Sequence, residues 1–147
     1  MATRWFALVI GIVYLAVGIA GFFPALGDDR TSPDLVVDAH YRDLFGLFPI
    51  NVLHNIVHLV IGVLGILAYR TWTAARAYSR GLAILYGILA IMGLIPALET
   101  TFDLIPLFSH DVWLHALTAL VAAYFGWIVR PGLDNEPVRS EPIGTVR

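Results

Sequence analysis

His54 and His58 stand one helical turn apart, and His115 lies in a separate apolar segment behind an acidic residue, Asp111. Imidazole is the commonest protein ligand for transition metals, and an i, i+4 pair puts two rings on one helix face, where a single ion can bridge them. His115 would supply a third nitrogen. Asp111 or Glu99 would supply an oxygen ligand, or the acceptor that orients an imidazole. Such nitrogen-rich ligands suit zinc or copper. The chain has no cysteine, which excludes disulfides, thiolate metal sites and cysteine nucleophiles together. The same residues have three other uses that stay open at this level. His58 or His54 could pair with His115 as the axial ligands of one haem b. His54, His58, Asp111 and Tyr14 could relay protons or hold a quinone-like headgroup, since histidine titrates near neutrality. Alternatively Asn51, His54, Asn55, His58 and His115 could simply hydrogen-bond across packed helices.

The elements that must position these side chains are apolar blocks of 18 to 20 residues, at about 5–23, 50–69, 81–98 and 112–129. A helix needs roughly 20 such residues to cross a bilayer. The composition, 59% hydrophobic with mean hydropathy +0.78, leaves no room for a soluble catalytic domain beside them. The expected fold class is therefore all-α, an integral membrane four-helix bundle in a bacterial cytoplasmic membrane. The loop Pro24–Pro49 is expected to hold a short interfacial helix, because Ser32-Pro33 reads as a start, Gly46 as a stop, and an imperfect apolar face lies between. Pro96 should bend the third span, and residues 131–147 read as a polar, flexible cytoplasmic tail.

Arginine sets the orientation. Arg4, Arg70, Arg76, Arg80, Arg130, Arg139 and Arg147 fall on one side of the spans, with only Arg30 and Arg42 on the other, among most of the acidic residues. The positive-inside rule then puts both termini in the cytoplasm. Scattered arginines with no basic patch exclude a nucleic-acid partner, so the bilayer is the partner expected, with a homo-oligomer or larger membrane complex left open. Trp5, Trp113 and Trp127 sit at span ends, as interfacial anchors do.

In lipid, small residues mark the faces where helices touch. At about 100° per residue, Asn51, His54, Asn55, His58, Gly62 and Gly65 share one stripe of the second span. Asp111, His115, Ala119, Ala122 and Gly126 share one on the fourth, and Ala7, Gly11, Tyr14, Gly18 and Gly21 one on the first. At about 1.5 Å per residue, His54, His58 and His115 lie roughly 6, 12 and 5 Å below the outer surface. The three histidines are thus expected to cluster in the outer half of the bundle. His40 and His110, in loops near water, are read as solvated.

The segments Asn51-Val52-Leu53-His54-Asn55-Ile56-Val57-His58 and Asp111-Val112-Trp113-Leu114-His115 resemble the openings of spans two and four in a family of small bacterial four-span proteins known only as a domain of unknown function. The resemblance runs from Arg4 to Val129. It implies four spans and the same histidines, and names no reaction. With no nucleophile–base pair, phosphate loop or cofactor fingerprint, the chain reads as a binding or accessory membrane protein rather than an enzyme. The alternative is a metal- or haem-binding redox protein using His54, His58 and His115.

Overall fold

The computed structural model describes residues 1–29 and 31–130, so the expected tail at 131–147 lies outside the described residues. Four α-helices and one small sheet make up the fold. They are α1 (Ala2–Ala20), β1 (Gly27–Asp28), β2 (Arg42–Leu44), β3 (Phe48–Ile50), α2 (Val52–Ala68), α3 (Trp72–Met92) and α4 (His110–Ala123). A π-helical turn, Tyr124–Ile128, extends α4.

The helices pair as two hairpins, α1 with α2 and α3 with α4, and α3 also packs on α1 and α2. Glycine brings the first pair into backbone contact. A Cβ on Gly62 would lie 2.8 Å from the Gly11 carbonyl oxygen, and one on Gly11 would lie 2.9 Å from that of Gly62. The end of the molecule opposite the sheet is tied by arginine. Arg4 Nε donates to the Tyr69 carbonyl at 2.7 Å, and Arg76 and Arg80 both donate to the Gly126 carbonyl, at 3.0 and 2.9 Å. The last carbonyls of a helix lack intrahelical partners and carry partial negative charge, so cations gather there.

Two helical segments, Ala2–Ala20 and His110–Ile128, are long and apolar enough to cross a membrane, and α2 is a shorter apolar helix. Large apolar side chains are exposed along the helices, while several polar ones are buried among the core residues. Leu120 is 70% exposed and Val9 57%, whereas Asn51, His54, Asn55, Ser79, Asp111 and His115 are buried.

The structure departs from the sequence-based expectation at two places. The first loop carries no helix at 33–45. Residues 42–44 instead form the central strand of an antiparallel sheet, with Arg42 opposite Ile50, Leu44 opposite Phe48 and Asp28 opposite Asp43. Phe45 and Gly46, both at positive φ (55° and 69°), reverse the chain between β2 and β3, and a helix cannot run through two such residues. The third helix spans Trp72–Met92 rather than 81–98. Thr71 caps its start, with Oγ1 accepting from Ala74 N at 3.1 Å. Its end falls at Gly93, before Pro96 can bend it, in keeping with the exclusion of α conformation just ahead of proline.

Candidate functional site

Asn51 starts α2 as its N-cap, with its amide oxygen accepting from His54 N at 2.9 Å. This fixes the first turn and so the azimuth of both histidines that follow. His54 and His58 face the helices opposite with ring centroids 4.4 Å apart. His115, one turn into α4, brings its ring to 6.4 Å from that of His54. One nitrogen from each of the three lies within 4.8 Å of the other two. Nitrogens bound tetrahedrally to one zinc ion at 2.0–2.1 Å lie about 3.4 Å apart, so the rings would have to draw together by up to about 1.4 Å to share an ion.

Two phenols flank the group. Tyr14 of α1 packs on His58 at 5.1 Å between centroids, and Tyr86 of α3 meets His115 edge-on at 4.9 Å. Tyr14 also donates to Thr118 Oγ1 at 3.2 Å. None of these contacts uses the Nδ1 atoms of His54, His58 or His115, which are buried and have no hydrogen-bond partner among the described residues. The amide of Asn55 and Oδ2 of Asp111 are in the same condition. Stranding that many polar atoms is costly, about 1–3 kcal/mol each, and native folds seldom do so without a ligand, ion or water at the spot.

All three imidazoles line one cavity of about 190 Å³, whose other walls come from α2, α3 and the segment 101–107. Asp111 does not reach it. Together with His58 it borders a second, smaller cavity of about 70 Å³ beneath the sheet, and it sits in the first turn of α4, where a carboxylate is favoured. Among the described residues, no carboxylate joins the group of three nitrogens, so Glu99 and Asp111 both stand apart from it.

A family model described as a domain of unknown function, DUF4383, matches residues 4–128. The chain belongs to the DUF4383 family. No curated protein and no solved structure matches it. The DUF4383 match takes in both helical hairpins, the sheet and all three histidines.

Two residues at the site escape the sequence reading. Tyr86, 1% exposed, is the one hydroxyl-bearing residue in the apolar block 81–98, and that isolation was a usable signal. Thr101 lines the 190 Å³ cavity with a buried, unpartnered Oγ1 and a positive φ of 48°. Nothing in its loop sequence marks it.

Proposed function

We propose that this DUF4383 protein is an integral membrane four-helix bundle that binds one transition-metal ion, zinc or copper, through His54, His58 and His115, as a binding or accessory protein. The observation that carries the reading is the approach of three buried imidazole nitrogens to within 4.8 Å. Their unpartnered Nδ1 atoms separate this reading from simple packing. Histidines kept to hold helices together would hydrogen-bond across them, and the Nδ1 atoms of these three do not. A metal ion would take one nitrogen from each of the three rings at once. Haem fits less well, because a porphyrin standing between two axial histidines needs far more space than about 190 Å³.

Support for the membrane comes from the extent of exposed apolar side chains along the helices, more than monomeric water-soluble proteins ordinarily show. The arginines at one end of the helix pairs favour that end in the cytoplasm, which turns the sheet and the histidine site outward. Asp111 then stands on the outer side of His58, where it can orient that ring.

The test is metal analysis with a visible spectrum on the chain purified in mild detergent, followed by His54→Ala, His58→Ala and His115→Ala. Stoichiometric zinc or copper, lost with any one substitution or with a strong chelator, is the expected result. Metal-free protein that stays metal-free on titration with either ion, or variants that lose only stability in roughly additive steps, would refute the proposal.

A further inference from the structure

We infer that the metal site is an open one: its fourth coordination position faces the 190 Å³ cavity and takes a single-ring molecule, apolar away from the metal, through an oxygen or nitrogen donor. This rests on the metal reading above. Three protein ligands leave a tetrahedral ion one position short, the arrangement of zinc sites that act on a bound molecule rather than merely hold a fold. The carboxylate that could have closed the shell does not do so, since Asp111 borders the other cavity.

The shape and lining of the space select its occupant. Val57, Leu85, Leu89, Ile105 and Leu107 form its walls, so the part of the ligand beyond its donor atom meets apolar side chains, and a charge carried there would lose its hydration with nothing to replace it. An apolar cavity of about 150 Å³ is known to hold benzene, so about 190 Å³ accommodates one ring with a small substituent. The wall also carries one polar group that nothing in the fold uses, the Thr101 hydroxyl. Thr101 is the first of three consecutive residues at positive φ, in the turn that brings its side chain to the cavity wall. It gives the ring's substituent a hydrogen-bond partner apart from the metal. In the membrane reading the ligand arrives from the lipid phase, where uncharged ring compounds concentrate.

The experiment uses the full chain in detergent, loaded with Co²⁺ as a visible reporter of coordination and titrated with pyridine, an uncharged ring with one nitrogen donor. Pyridine should shift the cobalt bands saturably. Ile105→Trp, which fills the cavity, should keep the cobalt spectrum and weaken pyridine at least tenfold, and Leu89→Phe gives a second filling variant if the first does not fold. If no cobalt binds, the metal reading falls and this inference with it. Where cobalt binds but pyridine leaves its bands unmoved, only the inference is overturned. Unchanged pyridine binding in the filled variants overturns it as well.

Discussion

Asn51 joins three parts of the chain that are far apart in sequence. Its amide nitrogen donates to the carbonyls of Val37 and Leu104, each at 2.7 Å, while its amide oxygen caps α2 through His54 N at 2.9 Å. Asn51→Ala removes all three bonds. Loss of the cap costs about 1 kcal/mol. Each carbonyl that loses its donor adds about 1 kcal/mol, more where water cannot reach it, for a total of about 3 kcal/mol. Asn51→Ser keeps a cap acceptor and loses only the amide donor, so its cost should be about 2 kcal/mol. The assay is equilibrium unfolding in mixed SDS micelles followed by far-ultraviolet circular dichroism. Leu104 precedes Ile105 in the segment that walls the histidine cavity, so Asn51→Ala should also loosen that wall and weaken ring binding. A stability within about 0.5 kcal/mol of wild type, the range of inert surface substitutions, would show that these bonds do not hold the loops to α2. Equal losses for the alanine and serine variants would remove the cap from the account.

Gly62→Leu should destabilise by about 3 kcal/mol or more in the same assay, because even its Cβ meets the α1 backbone. Leu64→Ala, at a position 52% exposed on the outer face, should cost under about 0.5 kcal/mol, and a reversed order would mean the wrong face is turned inward. Asp111→Asn should lower metal affinity by about 10–100-fold, measured by competition with a chromogenic chelator, if Asp111 orients His58. Unchanged affinity would take Asp111 out of the site. A reporter fused after Arg147 should be active only in its cytoplasmic form, and an active exported reporter there would invert the topology.

The convergence of the histidines was legible because two independent patterns agreed, the i, i+4 spacing on α2 and the small residues sharing its face. Helices α1, α2 and α4 were legible for a related reason: apolar blocks of that length leave few alternatives. The boundaries of α3 were not. A hydropathy block reports where lipid-compatible residues lie, and α3 begins nine residues before its block, through Arg76 and Arg80, because alanine-rich sequence behind a Thr71 cap is a good helix whatever surrounds it. The sheet was missed because strands of two or three residues are too short to show alternation, and Gly46 serves a strand reversal as readily as a helix stop. Thr101 and the cavity were out of reach, since they arise only when the 101–107 segment folds back against α2 and α3.

The pairing of the helices divides the three histidines unequally. His54 and His58 ride on one hairpin and His115 on the other. Within each hairpin the fastening is firm: glycine-lined backbone contact between α1 and α2, and two arginines clasping one carbonyl between α3 and the end of α4. Between hairpins it is lighter, chiefly ring contacts such as Phe6 stacked on Phe125 and Tyr14 tilted against Tyr86, with single hydrogen bonds such as Tyr14 to Thr118. An ion ligated by all three imidazoles would rivet one half to the other across this seam. Loading and emptying the site would then change how firmly the two halves are held together.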